Sequence, residues 1–252
     1  MAVLASLENT VAIVTGGGGG IGGAIARLFA REGAKIAVAD IHPETAKQRT
    51  VEITGQGGDA FTIVVDVTNK KSVQEMVRST LERWGKIDIL VNVAGGADPK
   101  LVIDMEEADW DHIVNMNLKS VFLCSQAVLP TMIQQRYGKI VSISSIYGFT
   151  GCETRSNYAA AKAGVAVFTK SLALEVVKDG INVNAIAPGR VATDRVRGRY
   201  SEEEWAKRVA AIPLGRAAIP DEIAPTALFL VQDENKYMTG QTVHVNGAWL
   251  NW

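Results

Sequence analysis

Between Val14 and Ala24 the chain reads Thr15-Gly16-Gly17-Gly18-Gly19-Gly20-Ile21-Gly22-Gly23, and this run constrains the fold more than any other feature. It is preceded by Val11-Ala12-Ile13-Val14, an apolar stretch that reads as a buried strand. It is followed by apolar residues at helical spacing (Ile21, Ile25, Leu28, Phe29), with Gly33 as the stop. A pyrophosphate needs bare backbone N–H groups and a helix N-terminus aimed at it, and side chains there would obstruct both. The run satisfies G-x-G-x-x-G in more than one register, so that pattern alone is weak, and the bland alternative is a flexible glycine turn. A strand before, a helix after and an acid at the end of the next strand favour a dinucleotide cradle. No Lys-Ser/Thr pair follows the glycines, which excludes a Walker-type loop.

The same alternation continues to the end of the chain. Strand patterns cover residues 35–40, 61–66, 87–94, 139–145, 181–187 and 242–245, and helical patterns cover 44–54, 71–84, 109–135, 157–178 and 221–231. Pro130 is expected to kink or begin to end the helix that contains it, and Asp221 to cap the last one. Residues 190–212 are polar and charged, and read as a mobile substrate lid. Strands alternating with helices, without a linker, predict an α/β chain: one domain over 1–252 with a Rossmann fold and a seven-stranded, mostly parallel sheet. Such sheets bind ligands beyond the carboxyl ends of their strands, so the residues directly after each strand matter most.

Composition excludes several partners. With 26 basic and 27 acidic residues the net charge is −1, which gives no electrostatic case for nucleic acid or an anionic membrane. No apolar run approaches the ~20 residues of a bilayer span. The opening MAVLASLENT is too short and lacks the positive start of a signal peptide. Cys124 and Cys152 fit no metal spacing, so free thiols, a cytoplasmic location and no metal are expected.

Asp40 ends the second strand pattern. A carboxylate there accepts hydrogen bonds from the adenosine ribose and repels a 2′-phosphate, and Ile41 supplies no cation to reverse that preference. NAD is the expected cofactor, with His42 as a surface histidine. Tyr158 and Lys162 stand at i and i+4 on one helix face, where an ammonium would bring a phenol down toward the operating pH. Taken alone, such a pair is more often a solvated one. Ser145 ends the fifth strand pattern on the cofactor side of the sheet, where its hydroxyl could hold a substrate oxygen. Ser142 and Ser144 are its neighbouring alternatives.

The chain resembles the short-chain dehydrogenase/reductase family along nearly its whole length. The resemblance rests on TGGGGGIG at 15–22, Asp66-Val67, NVAG at 92–95, MNLKSVF at 116–122, ISSIYG at 143–148, NYAAAKAG at 157–164 and NAIAPGRVAT at 184–193. It implies that Tyr158 is the acid/base, Ser145 its partner thirteen residues earlier, Lys162 a holder of the nicotinamide ribose, and Asn117 the anchor of a water linked to Lys162. It implies cofactor contacts at Gly16, Gly20, Ile21, Gly22, Asp40 and Ile41. Asp66 would meet the adenine amine, with Val67 beside it, and Asn92, Ala94 and Gly95 would line the ribose. Pro188, Gly189, Val191 and Thr193 would flank the nicotinamide, and a homotetramer would form through 109–135 and 157–178. Val93 stands where the family commonly has asparagine, which puts local sheet bonding in question more than chemistry.

The expected function is therefore NAD-dependent interconversion of a secondary alcohol, or a hydroxyacyl group, and its ketone. The alternatives are an NADPH-dependent 3-ketoacyl-type reductase, which Asp40 argues against, and a catalytically idle NAD-binding subunit. The lid carries Arg190, Arg195, Arg197 and Arg199, which could bind an anionic substrate group; Asp194 and Glu202–Glu204 nearby suggest instead a solvated, charge-mixed segment. Trp249 and Trp252 suggest a terminus buried at a subunit contact.

Overall fold

In the computed structural model, which describes residues 7–250, the apolar runs form the middle layer of the molecule. They are β1 (Val11–Thr15), β2 (Lys35–Asp40), β3 (Ala60–Val64), β4 (Ile89–Asn92), β5 (Gly138–Ile143), β6 (Ile181–Pro188) and β7 (Thr242–Val245). They pair in the order β3-β2-β1-β4-β5-β6-β7, every ladder parallel. The chain builds outward from β1 through β2 to β3, then returns to place β4 on the other side of β1. That reversal opens a crevice at the carboxyl ends of β1 and β4, where no crossover can cover it.

The helices are α1 (Gly20–Arg31), α2 (Pro43–Gly55), α3 (Lys70–Trp84), α4 (Glu107–Val114), α5 (Ser120–Gln135), α6 (Tyr147–Thr150), α7 (Ser156–Val176), α8 (Asp194–Arg197), α9 (Glu202–Ala210) and α10 (Ala224–Val231). Successive strand residues point to opposite faces, so Ile13 and Val14 enter different cores. Val14 joins Ile25 and Phe29 of α1, Ile53 of α2 and Leu228 of α10. Ile13 joins Met76 of α3, Val128 and Met132 of α5, and Leu172 of α7. Both are fully buried, each stabilising the fold by roughly 1.5–3 kcal/mol.

Several elements differ from the sequence expectation, each for a local reason. The helix expected over 109–135 is broken by a π-helical turn, Asn115–Lys119, where an Asn117 amide proton goes to the Ile113 carbonyl at 2.9 Å. Pro130 does not end α5. It sits on the exposed face, and the helix runs on to Gln135. Asp221 caps nothing: Glu222 accepts from the Ile219 N–H at 2.9 Å, while Asp221 pairs with Arg27 at 3.0 Å. Strands β3 and β5 stop before Asp66 and Ser145, which leaves both on loops. The Val93 N–H is accepted by the Thr15 hydroxyl at 3.1 Å. Trp249 stands edge-on to Tyr147 at 5.9 Å, and the opening MAVLAS and Trp252 lie outside the described residues. Among the described residues no helix is long and apolar enough to cross a membrane, and no group of three or more His, Cys, Asp or Glu could hold a metal ion.

Candidate active site

The glycine run turns in left-handed backbone at Gly16 (φ 63°) and Gly20 (φ 52°), which side chains rarely tolerate. A Cβ on Gly22 would lie 2.2 Å from the Gly16 carbonyl oxygen, so α1 begins in direct contact with the loop. Gly16, Gly20 and Ile21 line the cleft, while Gly22 packs behind it. Asp40 has a task the sequence did not suggest: its carboxylate accepts the Gly18 N–H at 3.0 Å and the His42 N–H at 3.1 Å, tying loop to strand. Each oxygen keeps acceptor capacity for a ribose hydroxyl. Beside Asp40 the wall continues with Ile41, His42 and Thr45. Arg49 packs behind Gly23 against Glu52, outside that wall. Bare backbone at the cradle and an acid at its edge fit a dinucleotide.

The cleft has a volume of about 960 Å³ and runs from Asp40, Asp66 and Val67 past Ala94 and Gly95 to Ser145, Tyr158 and Lys162. Asp66 is held by Thr68, whose N–H and hydroxyl reach Oδ1 at 2.9 and 2.7 Å, so its second oxygen remains for a ligand. Asn92 does not line the cleft, contrary to expectation. Its register on β4 places it between Thr15 and Ser142, and its amide nitrogen approaches Ser142 Oγ at 3.2 Å inside the sheet. Pro188, Gly189, Val191 and Thr193 form the opposite wall. A Cβ on Gly20 would lie 3.1 Å from the Thr193 methyl, so this side chain touches the cradle while its hydroxyl caps α8.

The loop after β5 and the first turns of α7 bring Ser145, Tyr158 and Lys162 together. Ser145 and Tyr158 both line the cleft beside Lys162, and the Ser145 hydroxyl accepts the Tyr147 N–H at 3.2 Å. The alternatives are engaged elsewhere: Ser144 donates to the Lys162 carbonyl at 2.8 Å, and Ser142 faces Asn92. Lys162 is buried, its Nζ 5.7 Å from the Tyr158 ring centre and donating to the Ile143 carbonyl at 2.7 Å. Asn117 fixes the Gly96 backbone through both amide atoms, at 2.7 and 3.2 Å, and a Cβ on Gly95 would lie 3.5 Å from Lys162 Nζ.

The electrostatics reverse one expectation. Burial pushes the Tyr158 phenol above its usual value, opposed by the Ser145 hydrogen bond and the charges of Arg195 and Arg155. Burial, reinforced by Arg195, lowers Lys162 to about 7. A lysine pressed toward its neutral form cannot by itself bring the phenol down. Ser145 and the two arginines oppose that rise without reversing it.

Residues 190–212 contain α8 and α9, and most of their arginines are bonded to protein. Arg195 donates to the Gly95 carbonyl at 2.8 Å, and Arg199 to the Ala97 carbonyl at 2.6 Å and toward Asp98 at 3.6 Å. Arg197 pairs with Glu202, stacks on Trp205 at 5.2 Å and does not line the cleft. Tyr147 and Arg155, which bound the loop after the fifth strand, and Tyr200 of the stretch 190–212 also line it. The signal for Arg155 was its place one turn before Tyr158.

A family model described as enoyl-(acyl carrier protein) reductase matches residues 16–249. The 3-oxoacyl-[acyl-carrier-protein] reductase of Thermotoga maritima is 41% identical over 242 residues, covering 96% of this chain and 98% of that protein. That of Vibrio cholerae is 41% identical over 243 residues, with the same coverage. The crystal structure of gox2181 superposes with a TM-score of 0.94 at 37% identity, covering 98% of each chain. A 7α-hydroxysteroid dehydrogenase complexed with NADH and 7-oxo glycochenodeoxycholic acid superposes with a TM-score of 0.93 at 34% identity, covering 96% of this chain and 95% of that one. With the cradle and the Ser145–Tyr158–Lys162 cluster in place, these likenesses make the chain an oxidoreductase of the short-chain dehydrogenase/reductase family.

Proposed function

We propose that this protein uses NAD(H) to interconvert a secondary alcohol, or a hydroxyacyl group, and its ketone, with Tyr158 as acid/base. The observation that carries the reading is the meeting of Ser145, Tyr158 and buried Lys162 at the far end of a cleft that begins at Asp40 and the glycine cradle. The dinucleotide supplies the hydride donor or acceptor when bound. Gly16, Gly20, Ile21 and Gly22 shape its phosphate cradle, Asp40 and Ile41 meet its adenosine ribose, and Asp66 and Val67 meet its adenine. Ala94 and Gly95 continue that wall, and Pro188, Gly189, Val191 and Thr193 hold the nicotinamide end.

Tyr158 Oη gives its proton to the carbonyl oxygen in reduction and takes it back in oxidation, while Ser145 Oγ holds that oxygen in line. Lys162, held by Ile143, positions the ribose and the phenol, and Asn117 keeps the Gly95–Gly96 backbone clear of Lys162. A raised phenol suits reduction, where the proton must be present to be given. Asp40 favours NAD because its carboxylate repels a 2′-phosphate, whereas His42 beside it on the wall is the one counter-signal. A second reading, an NADPH-dependent 3-oxoacyl reductase, is favoured by the names of the relatives. A cytoplasmic homotetramer completes the proposal. Reduction of a ketone panel with NADH and NADPH in parallel tests it. NADH-dependent turnover is expected; turnover with NADPH alone would favour the second reading, and no turnover with either would reject the enzyme.

A further inference from the structure

Two arginines of the cleft wall are held by phenols rather than by acids. Arg155 is only 9% exposed; its Nη2 donates to the Tyr200 hydroxyl at 2.8 Å and its Nη1 to the Cys152 sulfur at 3.8 Å. Arg190 Nη2 donates to the Tyr147 hydroxyl at 3.2 Å. The Nε of each is buried and has no hydrogen-bond partner among the described residues. None of the ion pairs among those residues includes either guanidinium, although Arg195, Arg197 and Arg199 nearby are all bonded to the lid or to the loop after β4. Desolvating a guanidinium without an anion is costly, and a buried N–H left unpaired adds about 1–3 kcal/mol. Arg155 is desolvated in this way and Arg190 in part, on one wall of the cleft.

We propose that Arg155 and Arg190 form a carboxylate clamp at the reacting end of the cleft, so that the substrate is a short oxo acid or hydroxy acid. This rests on the hydride-transfer reading above. Both anchoring phenols accept from an arginine and so keep their own O–H to donate, giving a planar anion two guanidinium edges and two hydroxyls. Indole rings flank Arg190, with Trp249 at 5.4 Å and Trp205 at 5.9 Å, and they keep water from the pair. The clamp is close to the chemistry: Tyr147, which holds Arg190, donates its N–H to Ser145 at 3.2 Å, and Arg155 precedes Tyr158 by one helical turn. On this proposal the carboxylate lies one or two carbons from the carbonyl. In reduction the carbonyl carbon gains the hydride of NADH and its oxygen gains the Tyr158 proton, giving a hydroxy acid and NAD. An acyl thioester carries no charge at this position and would leave both arginines unmatched.

Matched ketones differing only in charge read the clamp: acetoacetate and 2-oxobutanoate against their methyl esters, with NADH. The acid-to-ester ratio of kcat/KM should be about 10- to 100-fold in favour of the acid. That ratio should collapse in Arg155→Met and in Arg190→Met, and Arg155→Lys should recover only part of it, because an ammonium lacks the fork. Using a ratio cancels general damage to a variant. An arm without turnover follows the fluorescence of Trp205 and Trp249: butyrate should quench it and butyramide should not, with the butyrate effect lost in Arg155→Met. Esters or a 3-oxoacyl thioester turned over as well as the acids, with ratios unmoved by either substitution, would overturn the clamp while leaving hydride transfer intact. Equal quenching by butyrate and butyramide would overturn it as well. Failure of every ketone, with selective butyrate quenching retained, would overturn hydride transfer and leave the clamp standing.

Discussion

Gly17 and Gly19 stand two residues apart in the glycine run, and the structure gives them different tasks. A Cβ on Gly17 would lie 2.7 Å from the Val14 carbonyl oxygen and 3.3 Å from Val38 Cγ1, yet Gly17 does not line the cleft. Gly19 is extended (φ −146°, ψ 177°), has nothing within 4 Å of the corresponding position, and does line the cleft. Gly17→Ala must therefore push backbone against backbone by about half an ångström or more, a strain of about 1–3 kcal/mol. A chain of this size loses about 2–4 °C in apparent Tm per kcal/mol, so a fall of roughly 2–12 °C is expected. Gly19→Ala should leave Tm within about 1–2 °C of the parent, equivalent to roughly 0.5 kcal/mol. Its methyl group stands where a phosphate approaches the backbone, and losing one charge-assisted hydrogen bond weakens dinucleotide binding about 10- to 100-fold. Thermal melts and NADH fluorescence titrations on both variants separate the effects. An unchanged melt for Gly17→Ala, or unchanged NADH affinity for Gly19→Ala, would refute this division of the loop.

Four further outcomes are expected. Tyr158→Phe should lower kcat by about 10²-fold or more while NADH still binds by fluorescence titration, and a variant keeping most of its kcat would end the acid/base assignment. Asp40→Ala combined with Ile41→Arg should shift the NADPH-to-NADH ratio of kcat/KM upward by about tenfold or more, and an unmoved ratio would remove Asp40 from cofactor choice. Lys162 falls from the usual 10.5 to about 7 on folding, so between those values the unfolded chain holds the extra proton and stability rises with pH; the Tm advantage of the parent over Lys162→Met should grow from pH 7 to 8.5, and a flat or falling difference would contradict the shift. Phe122 and Ile133 on α5 and Val167 and Leu174 on α7 are exposed apolar side chains, so light scattering at micromolar concentration should give four copies, and a monomer mass would refute that assembly.

The alternation of strands and helices, the parallel sheet and the place of the cleft were legible in the sequence because they follow from periods of 2 and 3.6 residues, which are local. So was the grouping of Ser145, Tyr158 and Lys162, through motif spacing and one helical turn. Strand register decided what spacing could not: Asn92 turns into the sheet, and Thr15 supports Val93 from the neighbouring strand. Close approach decided which glycines are required, since a Cβ at Gly22 meets Gly16 and one at Gly19 meets nothing. Burial decided the titrations, raising Tyr158 and lowering Lys162 where the sequence suggested a lowered tyrosine. The lid arginines drew attention as a charged cluster, but pairing across the cleft bonds Arg195 and Arg199 to the loop after β4 and leaves the unmatched guanidinium groups on Arg155 and Arg190. Composition counts charges, whereas only the tertiary arrangement shows which of them are paired, because pairing and desolvation depend on atoms far apart in the chain.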